Sequence, residues 1–503
     1  MKRELLKRNM TMTRLLSMGL LVIALAGCKS SNSNDYPNIV LIFTDQQNAR
    51  MMSAAGNSMV HTPHMDVIAS QGMRFSQAYC SSPVCGPSRS SLITGFMPHT
   101  TGVVWNGDSP VEDIMENNIG FLLRAQGYHT VWAGKWHLPE SYPQQAGSKH
   151  GDTPGFDMLP FWDQDQKHWF LGYDTDPPLT DAVVEYLDNY RDQKPLFLAV
   201  SYHNPHDICF YPRKSGWFSN EDSLLEIRNW GIKHRLPDVI GLHPDSFTVL
   251  PPLPDNHDIG EHEPSFVHTK RIHPQRYGAE THMSYQFSDM EWRGYLNAYA
   301  RLTEMVDTEV GTILEALERN GLDKNTLIIF TSDHGDGAAS HKWSAKNSLY
   351  KESAMIPFVI SWPDHIPANR TNHKDLVSIA DVVPTILDLL GVQTDLDFHG
   401  RSLTPFFEED GESPRDFIVV ELADDKYSRE RMGRLVRSER YSYGIYSNGE
   451  EQLYDIIDDP GEMKNLAGQE AYRETVDIHK KMLLTWMEET DDPFRQHLVH
   501  EDQ

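Results

Sequence analysis

From Asn38 onward the chain alternates short apolar runs with amphipathic stretches. Residues 39–43, 130–133, 196–200, 327–330 and 357–360 are built of apolar and β-branched side chains with no charge among them. Runs this short and unbroken read as strands covered on both faces, because a half-exposed strand would alternate. Residues 181–191 and 291–319 instead repeat apolar positions at helical spacing. Strands separated by helices predict an α/β fold, a large domain whose mainly parallel or mixed central sheet is flanked by helices. Towards the end the pattern changes: 434–437 and 441–443 alternate like strands, and 469–489 is helical. A smaller C-terminal α+β part with an antiparallel sheet is therefore expected, dividing the chain into a large domain over 37–405 and a subdomain over 406–503.

The chemistry sits just after each run. The first ends in Thr44-Asp45-Gln46, and the second in Gly134-Lys135-Trp136-His137. The third leads into His203-Asn204-Pro205-His206, and the fourth into Ser332-Asp333-His334-Gly335. Ligands of open α/β sheets bind outside the carboxyl ends of the strands. A single Asp after a strand is usually a cap or turn residue. Four such endings would deliver acids, bases and cations to one edge of one sheet, which points to a site.

Composition narrows the partners. A hydrophobic content of 39% and a charged content of 23% are ordinary for a globular chain. A formal charge of −27 argues against nucleic acid, which needs a basic face. An acidic chain that handles an anion must concentrate Lys, Arg or a metal locally. Cys28, Cys80, Cys85 and Cys209 are too few for a disulfide framework. Lys2, Arg3, Lys7, Arg8 and Arg14 precede an apolar run over 15–26, the layout of an export signal. That run falls short of the roughly 20 apolar residues of a spanning helix. It ends in Leu25-Ala26-Gly27-Cys28, which resembles the bacterial lipobox, so residues 1–27 are expected to be a lipoprotein signal peptide and 28–36 a flexible tether. The resemblance implies export to the periplasm, outer membrane or cell surface, with membrane attachment through lipid on Cys28; cleavage nearby would leave a soluble protein.

Cys85-Gly86-Pro87-Ser88-Arg89, followed by Leu92-Ile93-Thr94-Gly95, resembles the C-x-P-S-R…L-x-T-G signature of the type I, formylglycine-dependent sulfatases, which have the alkaline-phosphatase-like fold. The resemblance extends through Gly134-Lys135-Trp136-His137-Leu138, through Ala345-Lys346-Asn347-Ser348-Leu349-Tyr350-Lys351-Glu352, and through Leu453-Tyr454-Asp455 with Asp459-Pro460-Gly461-Glu462. It also includes the stretch from Ala380 to Leu387, similar to the helix that closes the family's large domain. It implies that a maturation enzyme oxidises Cys85 to formylglycine (3-oxoalanine), whose hydrate carries two hydroxyls. One attacks sulfur; deprotonating the other expels sulfate without water attacking sulfur.

By the same resemblance Asp45, Gln46, Cys85, Asp333 and His334 hold a metal, with Gln46 standing where the family commonly has Asp. The oxygen-rich set suits Ca2+, with Mg2+ the alternative, although an imidazole at 334 suits softer ions. Lys135 and Lys346 contact sulfate, His137 holds or deprotonates a diol hydroxyl, and His206 binds sulfate and protonates the leaving oxygen. Arg89 neutralises the carboxylates and helps hold the diol. Lys135 and His137, two apart, would face the same way on an extended segment. Lys342 and His341 compete with Lys346 for its role. A helix beginning near Pro87 would aim free N–H groups at the negative charge.

The expected substrate is a sulfated saccharide, a polysaccharide or glycosaminoglycan fragment. Two other readings stay open: a phosphodiester or phosphonate monoester hydrolase on the same scaffold, and a glycan-binding lipoprotein without activity. Between His206 and Met290 lies a stretch rich in His, Trp and Pro, including Leu250-Pro251-Pro252-Leu253-Pro254-Asp255. Such segments carry substrate selection or are passive surface loops. His243, His257, His262, His268 and His273 are too irregularly spaced for a zinc site.

Overall fold

The computed structural model describes residues 36–138, 154–159, 171–210, 249–272, 283–408, 411–423 and 431–499. The expected signal peptide lies outside these residues, as does all of the expected tether except Tyr36, and so do His243 and His273.

In chain order the strands are β1 (Asn38–Asp45), β2 (Met73–Phe75), β3 (Ala78–Tyr79), β4 (His129–Gly134), β5 (Asp157–Met158), β6 (Leu196–Pro205), β7 (Thr326–Ser332), β8 (Phe358–Ser361), β9 (Arg370–Asn372), β10 (Val377–Ser378), β11 (Phe417–Ala423), β12 (Met432–Ser438), β13 (Tyr441–Tyr446) and β14 (Glu451–Asp455). The large sheet has eight strands in the order β5-β4-β6-β1-β7-β8-β2-β9. The run from β5 to β7 is parallel, with Ile39 of β1 opposite Phe197 of β6 and Leu327 of β7. β8 runs against both β7 and β2, so the sheet is mixed.

Residues 39 to 43 are fully buried, which is why their sequence does not alternate. Val40 and Ile42 pack with Val306, Val310 and Ile313 of the Asp289–Arg319 helix and with Val183 and Leu187 of the Gly172–Asn189 helix. Phe43 meets Trp132 edge to face at 5.5 Å, and Trp132 in turn meets Trp136 at 4.7 Å. Such pairs each contribute roughly 0.5–1.5 kcal/mol beyond burial.

The five expected strands all form. The helix expected over 181–191 begins earlier, at Gly172, because Pro177 and Pro178 interrupt the pattern without ending the helix. The long helix starts at a capping box made by Ser288 and Glu291. The C-terminal helix is Arg473–Glu489, entered through a short 3-10 turn at Glu470–Tyr472. The antiparallel sheet has four strands, β11-β12-β13-β14. It docks beside the signature segment: the Glu421 N–H donates to the Ser81 carbonyl at 2.8 Å, and the Arg437 guanidinium donates to the Tyr79 hydroxyl at 2.9 Å.

Candidate active site

β4, β6, β1 and β7 are parallel neighbours, so their carboxyl ends share one edge, and Lys135, His206, Asp45 and Asp333 all follow or end them. The structure thus brings the four strand endings to one edge of the sheet. Gln46 turns the chain sharply, with φ +70, a region that side chains rarely adopt. Its N–H donates to Asp333 Oδ1 at 3.1 Å and its carbonyl accepts from the Tyr299 hydroxyl, which together hold that conformation.

The signature segment forms the Cys85–Thr94 helix, buried throughout. The helix expected to begin near Pro87 begins at Cys85, where extended Val84 ends the preceding segment. Cys85 therefore sits in the first turn, and the Gly86 N–H is taken by Asn106 Oδ1 at 2.8 Å. Arg89, one turn on, lies on the same face. Its guanidinium is fully buried and uses its fork: Nε donates to Asp333 Oδ2 at 2.8 Å and Nη2 to Asp45 Oδ2 at 2.9 Å. Nη1 donates to the Lys135 carbonyl at 2.9 Å and to Ser201 Oγ at 2.7 Å.

Cys85 Sγ lies 3.0 Å from Lys346 Nζ, 3.2 Å from His334 Nε2 and 3.7 Å from Asp45 Oδ1. Burial and Asp45 push the thiol up, but Lys346, Lys135 and His334 outweigh them and bring it down to about 6. Burial likewise opposes ionisation of Asp45, yet Lys135, His206, Arg89 and Lys346 hold its carboxyl well below the usual range. Lys135 Nζ reaches Asp45 Oδ2 at 2.5 Å. Burial, with Lys135 and Arg89 nearby, keeps the His137 imidazole well below its ordinary value; burial and Lys346 do the same for His206.

One expectation fails. The Lys135–His137 segment is not extended, because Gly134 (φ +91) and His137 (φ +54) both enter the left-handed region. A side chain at 134 would also meet the Ser201 carbonyl at 2.1 Å. The chain curls there instead, and His137 is left with a buried Nδ1 that has no hydrogen-bond partner among the described residues. Lys346 is the lysine at the thiol. Lys342 pairs with Asp258 at 3.1 Å, and His341 stacks on Tyr350 at 3.8 Å, so neither takes that place. Of the Pro-rich stretch, the Leu250 and Pro251 carbonyls accept from Arg293 of the long helix, and His257 is buried against the Ala339 carbonyl at 2.7 Å.

Sequence reasoning did not pick out Asp336, Ser201, Asn106 or Cys209 as parts of the site. Asp336 is fully buried and accepts from Gln46 Nε2 at 2.8 Å; its signal was an acid three positions after Asp333. Cys209 Sγ lies 3.2 Å from the same amide nitrogen.

The donor set fits a divalent cation. Ligand atoms of Asp45, Cys85, Asp333 and His334 all lie within 4.8 Å of one another, and all four residues are buried. His334 Nδ1 lies 2.9 Å from the Gly335 carbonyl, an acceptor only, so a proton stays there; against burial, Asp333 and Cys85 raise the imidazole above its ordinary value in the metal-free site, and a cation would displace the second proton to take the Nε2 lone pair.

Paired carboxylates, three cations and a thiol of low pKa, gathered at the carboxyl edge of an α/β sheet, define a hydrolase that attacks an anionic ester. The chain belongs to the Sulfatase family, which it matches over residues 37–229 and 245–392; residues 339–489 also match the C-terminal part of N-sulphoglucosamine sulphohydrolase. It is thus a sulfuric ester hydrolase. It is 30% identical to a Delta 4,5-hexuronate-2-O-sulfatase of Bacteroides thetaiotaomicron over 95% of this chain and 94% of the relative. The solved structure of a 2-O GAG sulfatase superposes with a TM-score of 0.75 at 28% identity, covering 92% of this chain and 94% of that one. A phosphonate monoester hydrolase of Agrobacterium radiobacter superposes with a TM-score of 0.71 at 22% identity over 90% of this chain and 96% of that one, a likeness of fold alone.

Proposed function

We propose that this sulfatase hydrolyses sulfate esters of a sulfated saccharide, a polysaccharide or glycosaminoglycan fragment, with Cys85 acting in its oxidised formylglycine form beside a divalent cation. The observation that carries the reading is the surroundings of Cys85: a first-turn residue, fully enclosed, within 3.0 Å of Lys346 Nζ and 3.2 Å of His334 Nε2. The saccharide class rests on relatives named for sulfated sugars. The maturation enzyme, and export with a lipid on Cys28, belong to the same proposal and rest on the sequence motifs.

Asp45, Gln46, Asp333 and His334 would hold the cation, Ca2+ with Mg2+ the alternative. Bound there, it would offset the carboxylates and favour negative charge on oxygen, while the hydrated aldehyde would offer a second hydroxyl for release of sulfate. Lys135 and Lys346 donate to sulfate oxygens and stabilise the charge that develops during transfer. Arg89 fixes Asp45 and Asp333 so that neither swings to the incoming sulfate. His137 and His206 start neutral, so His137 accepts a proton from the nucleophile. Bound sulfate raises the affinity of His206 for a proton, which it takes from water and hands to the leaving oxygen as the bond from sulfur to that oxygen breaks.

Protein expressed in a host that matures formylglycine should release sulfate from defined sulfated saccharides, measured by ion chromatography, and Cys85→Ala should release none. Full turnover by that variant, or faster cleavage of an aryl phosphodiester than of an aryl sulfate, would refute the proposal.

A further inference from the structure

Gln46 offers the cation either its amide oxygen, a ligand, or its NH2, which repels it; the two ends differ in no respect of size. Asp336 decides between them. Its Oδ1 accepts from the Ala338 N–H at 2.7 Å, and both of its oxygens lie within 2.9 Å of the Tyr295 hydroxyl. That hydroxyl accepts from the Ala345 N–H at 3.2 Å, so its own proton is directed to Asp336. A carboxylate fed by these donors remains an acceptor, and Gln46 Nε2 stands 2.8 Å from its Oδ2. The NH2 end is thereby committed. The backbone of Gln46 is pinned separately, through Asp333 and Tyr299, and Cys209 Sγ lies 3.2 Å from Nε2 and 3.4 Å from Oε1, a contact that does not tell the two ends apart.

We propose that Asp336 is a positioning residue: by holding the Gln46 NH2, it makes the amide oxygen the end available to the cation. This rests on the metal reading above. It also accounts for glutamine at 46, because a carboxylate of the same length would place two acceptors against each other.

The test uses Asp336→Asn, which keeps the shape. The Ala338 N–H is fixed, so the oxygen of the new amide takes the Oδ1 place and its NH2 takes the place facing Gln46. The Gln46 amide must then invert and turn its NH2 towards the cation. Calcium binding by calorimetry on the intact metal-free protein should weaken by roughly 10- to 100-fold, the usual cost of losing a supporting partner of a ligand. Adding Gln46→Glu to Asp336→Asn restores an acceptor facing the NH2 at position 336 and an oxygen for the cation, and should return affinity to the original or better. Thermal melting in chelator checks that all three proteins are folded. Binding by Asp336→Asn within twofold of the unaltered protein, or no recovery in the double variant, overturns the inference and leaves the metal reading standing. No calcium uptake by the unaltered protein overturns both.

Discussion

Arg89→Met removes the fork that joins the two carboxylates and leaves a side chain of similar length. In the intact protein the guanidinium is fully buried, meets Asp333 at 2.8 Å and Asp45 at 2.9 Å, and lies 5.0 Å over the Phe43 ring. Removing one partner of a buried ion pair costs about 3–5 kcal/mol, because the remaining charge has neither water nor a counter-ion. Asp45 keeps Lys135 at 2.5 Å, and Asp333 keeps the Gln46 and His334 N–H groups. These residual partners place the expected loss at the lower end, about 3 kcal/mol in metal-free protein at neutral pH. The pH dependence fixes the cause. Without Arg89 both carboxyls rise from where they stand in the intact protein, so the folded variant binds protons more tightly than the folded unaltered protein; its deficit is then greatest at neutral pH and shrinks on acidification. Arg89→Lys should recover little, since one ammonium cannot bridge both acids in a fork. Urea unfolding followed by tryptophan fluorescence, in chelator at neutral and mildly acid pH, measures this. A loss under about 1 kcal/mol, the range of an exposed pair, or a deficit that grows on acidification, refutes the account.

Lys346→Ala should remove sulfate release while Lys342→Ala leaves it within twofold, because only Lys346 reaches the thiol and Lys342 holds a half-exposed pair with Asp258; steady-state kinetics on one saccharide compares them. Gly134→Ala should destabilise by more than about 2 kcal/mol, since its Cβ meets the Ser201 carbonyl at 2.1 Å with φ at +91. Ser288→Ala breaks the capping box of the long helix and should cost about 1 kcal/mol in denaturant unfolding without touching the site.

The parallel core was legible because double-sided burial leaves a mark: β1, β4, β6 and β7 are unbroken apolar runs, and a parallel arrangement then puts their polar ends together. β2, β5 and β9 were not legible, since strands of two or three residues carry no periodicity. β11 was missed for a different reason: Glu421 interrupts its apolar run, and only the fold supplies His99 and Arg434 as partners for that acid. Within the site, residues that lie inside local motifs were readable, as Cys85, Arg89, Lys135 and Lys346 were. Those defined by tertiary contact were not. Asp336 gains its role from Tyr295, 41 positions earlier. The curl of the Lys135–His137 segment runs through left-handed backbone at Gly134, where a Cβ would meet the Ser201 carbonyl of the neighbouring strand, a tertiary constraint that no local pattern records.

The charges around residue 85 lead to a last prediction about the unoxidised protein. Arg89, Lys135, Lys346 and the His334 imidazole face Asp45 and Asp333, so the surroundings carry a positive excess. A thiolate at Cys85 reduces it, and against burial and Asp45 these cations bring the thiol down to about 6. In the proposed reaction the incoming sulfate approaches this very atom. At roughly 5 Å and an effective dielectric constant of about 20, one added negative charge costs a bound anion about 3 kcal/mol, equivalent to roughly 100-fold in affinity. Unmodified, metal-free protein should therefore bind a sulfated saccharide progressively more weakly as pH rises through about 6. The sign follows from the thiol being neutral below that value and charged above it. Cys85→Ala, with no group to ionise there, should show no such fall and should bind more tightly above the transition. Calorimetric titrations of both proteins across that window, in chelator, read the difference directly. A flat profile for the unmodified protein, or an equal fall in Cys85→Ala, means that residue 85 does not control the charge met by sulfate, and that the cations and carboxylates around it do not balance in this way.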